Sequence, residues 1–393
     1  MYQDGVKKCL LPAKILLQTV CLWPDDELPH GKAIAWMLFS FLFVTEIFHA
    51  AYTLKYGKDI KEAVSASITV TTTFEVGISA IIKLEHQQQN YYFKALVRIY
   101  SLLANRRLFN EILVKIWKHF WPVKCVDDTT RINLEKKAVV FLTLNIILFI
   151  NATISNVAIT TMPFFKYHQL VFKSVFPFDW NKNYVYELLY IWQYFADWYV
   201  LFTIMAFDFL FVALLSMCSI QFAIWQHVMR NILNETSKEQ RRLIFGKNGN
   251  QISDNAMLHH CIEQHKFLNN ICNDMELTFR ITILLQFVVS TCAICAGFLT
   301  MKLDYSQFSK MLPFSIAHTV QLFCYCFLGQ ELIYQSEQLS NAIYECSWHL
   351  SYDRDFRKAL VLMMHRSQRI QCLTAANLIS LDLTSFIRVR INN

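Results

Sequence analysis

Seven stretches of this 393-residue chain are long and apolar enough to cross a bilayer, and the basic residues between them are unevenly shared. A hydrocarbon core of ~30 Å needs ~20 helical residues. The stretches read Lys32–Leu54, Ala63–Leu84, Ala138–Thr160, Tyr184–Ile220, Phe279–Met301, Met311–Leu332 and a weaker Cys372–Val389. The fourth exceeds a single crossing, so its surplus is expected to continue as helix into the cytosol. Of the 37 Lys and Arg, 27 fall in segments 1–32, 83–137, 221–280 and 333–371, and 10 fall in the alternate segments. Basic residues collect on the cytosolic side, so the N-terminus is expected inside and the far end of a seventh crossing outside. The fold class is therefore all-α integral membrane: seven transmembrane helices with cytosolic helical extensions and the N-terminus inside.

Composition agrees. The chain is 54% apolar and 15% aromatic but only 17% charged, below a typical soluble domain. Its net charge of +7 is spread over the loops without zinc-finger spacing or a basic helix, so orientation in a membrane explains it better than nucleic acid does. None of the twelve Cys lies in an expected outer loop, which points to free thiols. No small-residue cleavage site follows an apolar core near the N-terminus, so no cleaved signal peptide is expected.

The cytosolic segments carry helical periodicity. ILNETSKEQRRLIF and LHHCIEQHKFLNNICNDMELTFR repeat apolar residues at helix spacing, and GKNGNQISDN between them reads as a flexible turn. GQELIYQSEQLSNAIYECSW continues the sixth helix with Leu332, Ile333, Leu339, Ile343 and Tyr344 near one side. A half-apolar cytosolic helix needs cover from neighbouring helices or another subunit. The chain divides on this reading into 1–332, the first six spans with their connecting helices, and 333–393, a cytosolic extension and the seventh span.

Residues 327–348, FLGQELIYQSEQLSNAIYECSW, resemble the C-terminal signature of insect odorant receptors. Leu22-Trp23-Pro24 before the first span, Phe176-Pro177-Phe178-Asp179 followed by Tyr186-Glu187-Leu188, the helix bearing Asp208, and His265 ahead of the fifth span agree in order. The resemblance implies an odorant-tuned subunit of a ligand-gated cation channel, a heterotetramer with a shared co-receptor subunit, in the plasma membrane of olfactory sensory neurons. It implies a small apolar odorant as ligand, membrane lipid as surroundings, no cofactor and no nucleic acid. Gln330, Leu332, Leu339, Ile343 and Trp348 are the implied subunit-assembly positions. In the family the last helix lines the pore. Here Arg388, Arg390, Asn392 and Asn393 stand where apolar residues are expected, so the chain is expected to stop short within that helix.

A volatile ligand calls for an apolar cavity with few polar groups. The candidates are Thr73 and Phe74 in the second span, Asn151, Ile154 and Ser155 in the third, and Tyr194, Trp198 and Phe202, every fourth residue, in the fourth. An aromatic stripe also suits packing or an interfacial belt. Asp197 and Asp208 are eleven apart and share a face of the fourth helix, and Glu46 and Glu75 lie at membrane depth. Such acids serve either coupling or structure, and with few basic residues in the spans hydrogen-bonded structural acids are expected.

Other motifs weaken on inspection. Cys292 and Cys295 have redox spacing but lie in an apolar helix, His260, Cys261 and His265 lack a completing carboxylate, and Asn151 and Asn234 head glycosylation patterns on inaccessible sides. No phosphate loop, nucleophile elbow or catalytic zinc motif appears, so an enzyme is not expected. A G-protein-coupled receptor would show the opposite orientation, a transporter would show internal repeats and broken helices, and a gustatory receptor would carry a different C-terminal pattern.

Overall fold

In the computed structural model the described residues are 2–24, 31–56, 84–165, 170–171, 174, 176–303, 305 and 308–391. The expected second span, Ala63–Leu84 with Thr73, Phe74 and Glu75, lies almost wholly outside them. The helices are α1 (Tyr2–Thr19), α2 (Gly31–Tyr56), α3 (Leu84–Ala104), α4 (Arg106–His119), α5 (Asp128–Phe165), α6 (Asn183–Arg230), α7 (Thr236–Phe245), α8 (Asp254–Leu303), α9 (Phe308–Tyr344), α10 (Arg354–Ser367) and α11 (Leu383–Ile391). A two-stranded antiparallel hairpin, β1 (Thr374–Ala375) and β2 (Ile379–Ser380), pairs Thr374 with Ser380 and Ala375 with Ile379.

Five described helices are long and apolar enough to span a membrane: α2, α5, α6, α8 and α9. The centre of the bundle is α6, which touches α1, α2, α3, α5, α8 and α9. It holds 48 residues without Gly or Pro, so nothing breaks its hydrogen-bond ladder. From Thr203 to Met229 nearly every side chain is buried. The expected overrun of the fourth span into helix is therefore present.

The outward face of α5 reports the surroundings. Val139, Val140, Ile146, Ile147, Ile150, Ile154 and Val157 are exposed large apolar side chains, while Leu134, Phe141, Asn145, Asn156 and Thr160 turn inward. A soluble monomer rarely exposes so continuous an apolar strip, whereas hydrocarbon solvates it at no cost. The chain is a multi-pass, all-α membrane protein.

Several helix starts outside the bilayer are capped from the sequence. Asp127 accepts from the Thr130 amide at 2.9 Å and from the Thr129 hydroxyl at the start of α5. The Ser253 hydroxyl accepts from the Ala256 amide at 3.3 Å before α8, and Asp353 accepts from the amides of Asp355 (2.8 Å) and Phe356 (3.4 Å) before α10. Each satisfies amides that the first turn leaves unpaired.

The structure departs from the sequence reading in three places. The helix expected from Cys372 begins only at Leu383. Ala376 and Asn377 take positive φ of 52° and 62°, which closes the hairpin, and Asp382 then caps α11 through the Ser385 amide at 2.6 Å. Residues Gly246–Gln251, expected as a flexible turn, form a 3₁₀ turn beside the Arg241 guanidinium, which donates to the carbonyls of Ile252 (2.7 Å) and Ile232 (3.1 Å) and pairs with Asp254. Lys94 and Arg98, counted as loop charges, are fully buried on α3. Without them 25 basic residues stand on that side against 10 on the other, and the excess keeps its direction.

Candidate functional site

The outer half of α6 builds an aromatic ladder. Tyr186, Tyr190, Tyr194, Trp198 and Phe202 recur every fourth residue, so each ring meets the next, with centroids 6.5, 6.5, 6.2 and 5.7 Å apart. Phe149 of α5 approaches Phe202 at 6.3 Å, which places the inner end of the ladder at the seam between α5 and α6. The same seam is pinned by polar bonds. Asn156 donates to Asp197 at 2.8 Å, and the Tyr190 hydroxyl donates to the Thr160 carbonyl at 2.8 Å. On another side of α6, Trp192 donates to Thr45 of α2 at 2.9 Å and packs on Phe41.

Of the expected pocket residues, Tyr194, Trp198 and Phe202 come together in this ladder. Asn151, Ile154 and Ser155 do not join them. Ile154 is 64% exposed, and the Ser155 hydroxyl bonds back to the Asn151 carbonyl at 2.9 Å on the outward face of α5. The seam is served instead by Phe149, Asn156 and Thr160. Thr73 and Phe74 lie outside the described residues.

Inward of the ladder sits a buried polar cluster from four helices. Arg98 of α3 lies 2.8 Å from Asp208 of α6, and it donates to the Ile204 carbonyl (2.7 Å) and Gln286 of α8 (3.0 Å). Its guanidinium also lies over the Phe207 ring. Asp208 accepts from the Tyr325 hydroxyl at 2.6 Å and from Gln321, both on α9. Lys94 reaches the Gln321 side-chain oxygen at 3.5 Å. Asp197 and Asp208, expected on one face of the fourth helix, bond to different neighbours: Asp197 to α5, and Asp208 to α3 and α9. Asp208 is hydrogen-bonded, and it also has a cation, Arg98, which the sequence places in a segment between spans. Arg98 stands one turn beyond Lys94 and between apolar residues (KALVRIY), which was the available signal.

The expected assembly residues are mostly internal. Leu332, Leu339 and Ile343 are buried within this chain, so they present no face to a second subunit. Gln330 accepts from the Leu383 amide at 3.5 Å, tying α9 to the start of α11. Trp348 stays 39% exposed, with the Arg357 guanidinium 5.9 Å from its ring. His260 packs on Phe245 and His265 on Trp225.

The last segment is fastened to α8 and α9. Glu276 accepts from the Thr374 amide at 2.7 Å and from its hydroxyl, and Ser336 accepts from the Gln371 amide at 3.0 Å. Gly329 lies where any Cβ would run into the Leu381 carbonyl. Outside the bilayer, the Thr129 hydroxyl and the Thr130 amide hold the Asp127 carboxyl down to about 2, and burial pushes the Cys125 thiol up to about 12, leaving it inert.

Residues 91–390 match the family described as 7tm Odorant receptor. The chain belongs to this odorant receptor family. Among relatives from Drosophila melanogaster, it is 27% identical to Odorant receptor 22c over 114 residues, 28% of either chain. It is 22% identical to Odorant receptor 2a over 349 residues, 83% of this chain and 86% of that one. The chain thus spans little more than a quarter of one of these odorant receptors and most of the other. The fold is similar to that of the insect olfactory receptor OR5 from Machilis hrabei, with a TM-score of 0.76, 13% identity and coverage of 100% of this chain and 97% of that one. The same receptor in complex with eugenol gives 0.73 at 14% identity, with both chains fully covered.

Proposed function

We propose that this odorant receptor chain binds a small volatile ligand at the α5–α6 seam and contributes to a ligand-gated cation channel with a shared co-receptor subunit. A heterotetramer in the plasma membrane of olfactory sensory neurons is the assembly this reading implies. The observation that carries it is the ladder Tyr194–Trp198–Phe202 meeting Phe149 within a chain of the odorant receptor family. The eugenol complex of Machilis hrabei OR5 supports a small-molecule ligand within this fold. An apolar, aromatic wall with few polar groups suits a volatile ligand. Binding would favour an open arrangement in proportion to its preference for that state.

The test is an odorant panel on cells expressing this chain with and without an odorant co-receptor. The expected result is odorant-evoked cation current only with both subunits. Robust current from this chain alone would contradict the division of labour.

A further inference from the structure

The inference concerns the chemical class of ligand and rests on the reading of this chain as an odorant receptor. Two buried polar atoms at the α5–α6 seam have no protein partner among the described residues. One is the Trp198 indole nitrogen, a donor. The other is the Asn156 side-chain oxygen, an acceptor. Asn156 donates its amide N–H to Asp197, and Trp198 stands in the ladder whose members Tyr190 and Phe202 meet Thr160 and Phe149 of α5. A buried indole N–H ordinarily finds an acceptor, and inside a bilayer the alternative of bulk water is remote.

We propose that Trp198 is a specificity-determining residue whose N–H donates to an acceptor oxygen (carbonyl, ether or hydroxyl) of a neutral volatile ligand. The ligand body lies against the Tyr194 and Phe202 rings, which flank Trp198 at 6.2 and 5.7 Å. A site with an unmet donor rejects a ligand that lacks the matching acceptor, because the donor then stays unpaired. The receptor therefore discriminates an oxygenated volatile from a hydrocarbon of the same shape.

The experiment uses matched pairs on cells expressing the full chain with co-receptor: acetophenone against α-methylstyrene, anisole against ethylbenzene, and 2-heptanone against 2-methyl-1-heptene. Half-maximal concentrations are measured for the native chain and for Trp198→Phe, which keeps an aromatic ring and removes the N–H. The oxygenated members are expected to act at lower concentration, and Trp198→Phe is expected to weaken them by about three- to tenfold. In the same variant the hydrocarbons should weaken less than their oxygenated partners, and labelling of the chain at the cell surface separates lost bonding from lost folding. Equal potency within pairs, or equal weakening of both members, would overturn the proposal while leaving odorant binding intact. Silence to both series, with the chain present at the cell surface, overturns this inference, while the receptor reading itself stands or falls on the wider odorant panel.

Discussion

The Arg98 guanidinium and the Asp208 carboxylate lie 2.8 Å apart with each side chain only 1% exposed, joining α3 to the central helix. Losing one partner of such a pair strands a buried charge, at a cost of about 3–5 kcal/mol. Arg98→Met is therefore expected to lower thermal stability strongly in detergent, whereas Arg98→Met with Asp208→Leu regains most of it. Arg98→Lys should fail as well, because a single ammonium cannot serve the Ile204 carbonyl, Gln286 and Asp208 together. Thermal unfolding of the purified variants checks all three.

Gly329→Ala tests the contact between α9 and the hairpin. In a free helix Ala is favoured over Gly by about 1 kcal/mol. Here the added Cβ meets the Leu381 carbonyl, so the expected sign is reversed. Limited proteolysis or hydrogen exchange should show the 372–382 segment loosened, while α9 itself remains protected.

Asp127 makes a pH prediction. Its carboxyl is held at about 2, below its ordinary 3.8, first by the Thr129 hydroxyl and then by the Thr130 amide. A depressed acid contributes stability above its unfolded value and loses it as pH falls through the folded value, here from about 4 to about 2. A shift of that size corresponds to roughly 2.5 kcal/mol unscreened, and the 43% exposure of its side chain brings the expected effect to about 1 kcal/mol or less. Asp127→Asn keeps a good cap and should flatten the stability profile in that window. An unchanged acid limb in the variant would remove Asp127 as its source.

The outward face of α5 gives a membrane test. Ile147 and Ile150 are exposed there. A central Lys costs about 2.5–3.5 kcal/mol of insertion, so Ile150→Lys should sharply reduce surface delivery, while Ile150→Leu should not. Equal delivery of the two variants would place that face away from lipid.

The five spans on α2, α5, α6, α8 and α9 are legible because length and hydropathy alone report them, and so is the continuation of α6 and α9 beyond a single crossing. The facing of α5 was not. In lipid both sides of a helix are apolar, so periodicity carries no phase, and the sequence points to Asn151, Ile154 and Ser155 where Asn156 turns inward. Arg98 was hidden for a related reason, since a cation near a span end reads as a loop charge until its partner is known. The hairpin at 374–380 left one trace, Asn377, a residue type tolerant of left-handed backbone.

The unbroken run from Asn183 to Arg230 has a mechanical consequence. At about 1.5 Å per residue it is a rod of roughly 70 Å, more than twice the thickness of the hydrocarbon layer. With no hinge along its length, a tilt of a few degrees at the Tyr194 end swings the far end by several ångströms. A molecule wedged beside the ladder would thus work at the short arm of a lever whose long arm sweeps the cytosolic helices.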